Sequence, residues 1–265
     1  KNAGYIMREN ELMELLYLSA SKLGVELNKE QAEMFMKYKF LIQQWNEKMN
    51  LTAITDDTGI IIKHFADSMS ILPIMLEREE DIRDWEGSDE RGLSVIDVGT
   101  GAGFPGIPLK IVCPGLNLTL LDSLNKRLVF IEDVVKELGL KNVNIIHSRA
   151  EDGGRDTKLR DKFDFCVSRA VARLNVLCEL CMPFVKEGGY FISLKGPDVY
   201  SELNEAEITV ETLGGQIEDV VELDIPESEK NGEKIRHCAV IIRKVEPTPK
   251  AYPRKAGMAA KKPIK

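Results

Sequence analysis

The chain has no run of about 18 uninterrupted apolar residues of the kind a membrane-spanning helix needs, and no basic-then-apolar opening of the secretory type. No membrane association is therefore expected. Residues 1–6 precede the first methionine, Met7, and are read as an extension outside the fold. Cysteine is sparse and odd in number, five scattered residues in all, which argues against a disulfide framework and for a reducing cytoplasm. Histidine is scarcer still, with three. Cys178 and Cys181 form a CxxC, but there is no second CxxC and no paired histidine to complete a tetrahedral site. The two thiols are expected to fill space in the apolar helical stretch around them, and no metal is expected.

Positive charge is also in short supply, except at one end. The 265 residues carry a net charge of -7, yet residues 243–265 hold eight lysines and arginines against the single acid Glu246, leaving -14 on residues 1–242. Composition alone makes such a basic end a solvated tail more often than a binding element.

What is present is ordinary for a globular domain with a helical extension: 43% hydrophobic and 30% charged residues, with no internal repeat or low-complexity segment. Apolar residues at helical spacing predict helices over Glu9–Leu23 and Lys29–Met49, with a third helical region near Thr58–Leu76. The stretch Glu77–Gly92 follows, with eight acids, three bases and little to bury, and reads as a surface connector. From residue 93, short β-branched runs alternate with amphipathic segments. Strands are predicted near 93–98, 116–121, 143–147, 163–168, 189–194, 216–223 and 235–243, with helices near 105–113, 126–138, 174–185 and 199–213. That alternation gives an α/β fold, a doubly wound and mostly parallel sheet covered on both faces. The expected organisation is a helical cap (1–78), an acidic connector (79–92), the α/β domain (93–243) and a basic tail (244–265).

The most informative segment is Val95–Gly106, in which an apolar strand runs straight into four glycines and then a helix with Pro105 near its first turn. In open α/β sheets the first such loop is one wall of the ligand crevice. Gly101, Gly103 and Gly106 satisfy GxGxxG, so an NAD(P)-dependent oxidoreductase is one reading. Three features favour S-adenosyl-L-methionine instead. Asp97 lies two residues before the first glycine, where a carboxylate can take the amine side of a methionine moiety. Gly99 lies one step closer to the strand, and the loop is longer than a pyrophosphate grip needs. Asp122 ends the next strand about twenty residues on, placed to accept ribose hydroxyls, and serves either cofactor.

The run Val98–Leu109, with Leu120–Arg127, Ser148–Asp152, Ser168–Arg173 and Leu194–Gly196, resembles the family of RsmG, or glucose-inhibited division protein B. Trp45–Thr52, His64–Ser68 and Tyr252–Gly257 are similar to the same family, so the resemblance covers the chain from about residue 30 to its end in the right order. It implies a class I S-adenosylmethionine-dependent methyltransferase with a Rossmann-like sheet containing an antiparallel strand, acting on N7 of a guanine in 16S, small-subunit, ribosomal RNA. The implied partner is that RNA or the assembling 30S subunit. A monomer is expected, since no long apolar heptad pattern asks for a partner. A non-catalytic assembly factor that keeps a cofactor pocket is the remaining alternative.

The cofactor set implied by resemblance and position together is Gly99, Gly101, Phe104, Asp122, Ser123, Ala150, Glu151 and Arg169, with adenine against Ala150. Arg169 could equally brace its loop through carbonyls. RNA contacts are expected from Lys126, Arg127, Arg173 and Lys195 around the crevice and from Arg254 and Lys255 in the tail, which is read as acting on RNA alone. Lys195 could instead face a carboxylate of the cap. No general base is expected: guanine N7 has no proton to lose, and His64, His147 and His237 are all read as structural.

Overall fold

The structure, a computed structural model, describes residues 8–86, 92–169, 172–225, 229–230, 233–234 and 237–264. Helix α1 (Glu9–Lys22) and helix α2 (Lys29–Asn46) open the chain. The second is capped by Asn28, whose side chain accepts from the Gln31 N–H while the Gln31 side chain accepts from the Asn28 N–H. A continuous helical stretch follows: α3 (Asp57–Gly59), a π-helical segment (Ile60–Ala66) and α4 (Asp67–Met69). Helix α5 (Leu72–Glu86) comes next. Asp57–Ile82 is apolar and long enough to cross a membrane by composition, but 83% of its most apolar window is buried inside the protein, which makes it a core element.

Helix α5 departs from the expected connector. The acidic stretch stays helical as far as Glu86 because one face has partners: Ile82 and Met75 are buried, Arg78 pairs with Glu218 at 3.0 Å, and Asp81 accepts from the Tyr190 hydroxyl. The face is a narrow stripe set among acids, so the composition of the stretch does not show it. Residues 87–91 of the connector lie outside the described residues, as do Ile235 and Arg236 of the last predicted strand.

The α/β part runs β1 (Ser94–Val98), α6 (Gly106–Val112), β2 (Asn117–Asp122), α7 (Asn125–Glu137), β3 (Val143–His147), α8 (Ala150–Gly153), β4 (Phe163–Arg169), α9 (Leu174–Cys181), β5 (Val185–Lys195), α10 (Val199–Thr212) and β6 (Gly215–Leu223). A two-residue pair, β7 (Glu229–Lys230) and β8 (Glu233–Lys234), precedes β9 (His237–Lys244), and α11 (Met258–Lys261) lies near the end. The sheet order is β3-β2-β1-β4-β5-β9-β6, with β1 to β5 parallel and β9 antiparallel to both neighbours. The doubly wound sheet with one reversed strand is the expected one.

Alternation along the strands divides the core between the two faces. Val95, Leu120, Phe165 and Ile192 share a buried cluster with α1, α2 and the π-helical segment, whereas Ile96, Leu121, Cys166 and Phe191 pack with α9 and α10. Cys178 and Cys181 belong to the second cluster, and burial pushes the Cys178 thiol up. The chain order reverses at β1, with β2 and β3 to one side and β4 and β5 to the other, so a crevice opens beyond their carboxyl ends.

Candidate cofactor site

The glycine loop leaves β1 in a turn that needs left-handed backbone, with φ of 72° at Gly99 and 61° at Gly101. The Gly99 and Thr100 N–H groups both donate to the Leu121 carbonyl, and the Gly101 N–H donates to Asp122 Oδ2 at 2.9 Å. The loop is thus tied to the end of β2. Asp122 closes the tie from the other side, its Oδ1 accepting from the Leu124 N–H at 2.8 Å. A side chain at Gly106 would meet Leu120 at 2.6 Å and Asp97 at 2.9 Å, so the helix can begin only where glycine stands.

Asp97 holds this loop and does not face the crevice. It is fully buried, and its Oδ2 accepts from the Thr100 hydroxyl at 2.7 Å and from the Gly106 N–H at 2.9 Å. Burial pushes its carboxyl up to about 6, against the lowering effect of those two hydrogen bonds. Its other oxygen, Oδ1, is buried with no hydrogen-bond partner among the described residues. One carboxylate oxygen is thus spent on its own loop and the other is not.

A cleft of about 470 Å³ lies at the strand ends. It brings together Gly99, Gly101, Asp122, Ser123, Ala150, Glu151 and Arg169 of the expected set. Phe104 is not among its lining residues: its ring is 5% exposed, stacked on the His64 ring at 4.5 Å, with the Arg169 guanidinium 4.8 Å from its centroid. It supports Arg169 from behind. The Arg169 guanidinium donates to Asp67 Oδ2 at 2.9 Å, the Lys63 carbonyl at 3.1 Å and His64 Nδ1 at 3.0 Å. Arg169 therefore braces the helical cap and lines the cleft at once. Asp67 also bonds His237 Nδ1 at 3.1 Å. Burial raises its carboxyl pKa, but hydrogen bonding to His237 and the nearby Arg169 outweigh it, and the net shift is downward.

His64 is 7% exposed. Burial, reinforced by the Arg169 charge, pushes it down to about 3. Arginine only donates, so Nδ1 must accept and the proton sits on Nε2, which donates to Thr52 Oγ1 at 2.8 Å. Both ring nitrogens are committed, and no lone pair is left for general-base work.

The expected RNA contacts divide sharply. Lys126 and Lys255 are exposed and make no ion pair among the described residues. Arg127 lines the cleft with its guanidinium 3.5 Å from Asp122. Arg173 is exposed but paired with Glu205 at 2.7 Å. Lys195 is withdrawn altogether: it is 6% exposed, donates to the Ala172 carbonyl and pairs with Glu202 of α10 at 2.7 Å, a carboxylate that is not the cap's. Arg254 is withdrawn likewise, its guanidinium and backbone N–H both bonded to Glu179. Arg254 and Glu179 stand 75 positions apart, and although Glu202 follows Lys195 by only seven, the chain turns from β5 into α10 between them, so spacing alone could not reveal either pair.

Several lining residues were missed. Leu51 reaches the cleft from the cap, Leu177 and Leu180 from α9, and Ser148 and Arg149 from the turn after β3. Arg149 is exposed at the rim without an ion pair among the described residues. Leu51 and Arg149 stand inside segments already singled out by the sequence, so position along the motif was the available signal.

Residues 31–231 match the family described as rRNA small subunit methyltransferase G, GidB. The chain is 50% identical over 252 residues to the ribosomal RNA small subunit methyltransferase G of Clostridium botulinum (strain Eklund 17B / Type B), covering 95% of this chain and 98% of that one. It is 46% identical over 255 residues to the protein of the same name from Alkaliphilus oremlandii (strain OhILAs), covering 96% and 100%.

Proposed function

The chain belongs to the rRNA small subunit methyltransferase G family, and from that membership we propose that it transfers the methyl group of S-adenosyl-L-methionine to N7 of a guanine in 16S ribosomal RNA. The observation that carries the reading is the convergence of Gly101, Asp122, Ala150 and Arg169 on one cleft at the strand-order reversal. The residues fit the cofactor. A Cβ on Gly101 would meet nothing nearer than the Gly99 carbonyl at 4.0 Å, so the loop leaves space that a ligand can fill. Each Asp122 oxygen accepts one backbone N–H; Oδ2 is also met by Arg127 at 3.5 Å, and Oδ1 keeps a lone pair for a ribose hydroxyl. Gly99, Gly101, Asp122, Ser123 and the Ala150–Glu151 wall would hold it.

When bound, the cofactor supplies an electrophilic methyl on a positively charged sulfur. Guanine N7 offers an unprotonated in-plane lone pair, so the protein has no proton to remove and its work is alignment. The committed state of His64 agrees with that division of labour. Lys126, Arg127, Arg149 and Lys255 are the cations we assign to RNA phosphates. The RNA is taken free or in the assembling 30S subunit, by a monomer in the cytoplasm. Isothermal titration tests the reading: binding of S-adenosylmethionine with no binding of NADH is expected, and the reverse would assign the glycine loop to an oxidoreductase.

A further inference from the structure

The segment after β9 was expected to be solvated and to act on RNA alone, yet its contacts run inward. Lys244 is fully buried and donates to the Met182 carbonyl at 2.8 Å and to Thr248 Oγ1 at 2.6 Å. The Arg160 guanidinium rivets the segment to the loop after α8, donating to the Gly154 carbonyl on one side and the Thr248 and Tyr252 carbonyls on the other. Pro253 is buried against Gly154, where a Cβ would meet it at 3.1 Å. The Thr209 hydroxyl of α10 holds the Ile264 carbonyl at 3.1 Å.

Two further ties reach the cleft, one at a lining residue and one in a helix that supplies lining residues. Glu151, a lining residue, accepts from the Gly257 N–H at 2.8 Å. Glu179 of α9, with a side chain only 1% exposed, is neutralised by Arg254 at 2.6 Å, and the same helix contributes Leu177 and Leu180 to the cleft. Without the segment, α9 would carry a buried carboxylate lacking its counter-charge, a costly state.

We propose that residues 248–264 are a positioning strap for the cofactor pocket, with Gly257 as the residue that fixes the Glu151 wall. The inference rests on the methyltransferase reading. By linkage, whatever holds the wall in its binding arrangement tightens cofactor binding, and bound cofactor in turn holds the strap. The exposed lysines of the segment remain free to meet RNA, so one element can serve both ligands.

Gly257 offers a clean test because its φ is +79° and an added Cβ would meet nothing within 4 Å. A substitution there strains the backbone without a steric clash. Gly257→Val should weaken S-adenosylmethionine binding by about tenfold, because a β-branched residue resists the left-handed region. Gly257→Asn, which tolerates that region, should stay within about threefold of wild type. In a Glu151→Ala background the tie is already gone, and Gly257→Val should then change affinity less than about twofold. Maximal methyl transfer at saturating cofactor should be preserved in Gly257→Val, and cofactor should slow hydrogen exchange at the residue 257 amide of the wild type. Equal affinity of Gly257→Val and wild type would overturn the proposal, as would full additivity with Glu151→Ala or equal losses for Val and Asn. Failure of the wild type itself to bind S-adenosylmethionine would instead overturn the reading on which the proposal rests.

Discussion

Both oxygens of Asp122 accept backbone N–H groups and Oδ2 also meets Arg127, yet the carboxylate lines the cleft and Oδ1 has acceptor capacity to spare. Replacing it by Ala removes hydrogen bonds to a charged group, a loss of about 1.5–3 kcal/mol. Calorimetric affinity for S-adenosylmethionine should fall at least about tenfold. An unchanged affinity in a folded Asp122→Ala protein would place the ribose elsewhere. His64 makes the opposite prediction. His64→Gln should leave single-turnover methyl transfer within about tenfold of wild type, below the roughly hundredfold or greater share of a general base. The same variant has a stability signature whose sign is fixed. The folded-state value of about 3 lies below the ordinary 6.5, so from pH 6.5 down to 3 the unfolded chain binds a proton that the folded chain refuses. Stability contributed by neutral His64 is lost as pH falls through that window. Acid unfolding curves of His64→Gln should be flatter there than those of wild type.

Elements divide into those the sequence pattern made plain and those it concealed. Strands β1 to β6 were legible because β-branched runs and turn residues carry their own signal, as in Val143–His147, which falls where it was placed. The second half of helix α5 was not: over residues 77–86 the acids outnumber Ile82 and Trp85, and the face of Met75 and Ile82 shows only against the sheet that covers it. Ile82→Ala should therefore cost about 2–5 kcal/mol in denaturant unfolding, the usual range for a buried aliphatic truncation. A change under about 0.5 kcal/mol would restore the connector reading. The cofactor cleft was legible through its glycines and strand ends. The roles of Phe104, Lys195 and Arg254 were not, because each is decided by a side-chain partner that only the fold brings near. Gly257–Glu151 spans 106 positions, whereas Lys195 and Glu202 are seven apart and meet because the chain turns from β5 into α10.

At the scale of the whole molecule, a protein of net charge -7 has to meet a polyanion through local patches. The exposed and uncommitted cations Lys126, Arg149 and Lys255 are the candidates, whereas Arg173 already has Glu205 and Arg254 has Glu179. Each Ala substitution among the first three should lower the slope of log K for RNA against log salt by about 0.7–0.9, and Arg173→Ala should lower it less. Slopes that do not separate the two groups would remove the assignment of those cations to phosphates. The cap, the loop and the strap all converge on one task, which is to align a methyl donor with a base that needs no deprotonation. The direct measurement is to incubate the protein with labelled S-adenosylmethionine and small-subunit RNA or 30S subunits from a strain lacking the modification, then digest and identify the labelled nucleoside across pH 6.5–8.5. The account predicts 7-methylguanosine alone, formed at a single-turnover rate nearly flat over that window, which spans the upper flank of an unperturbed histidine. Label on any other nucleoside, or a rate that titrates steeply with a histidine-like midpoint, would contradict it.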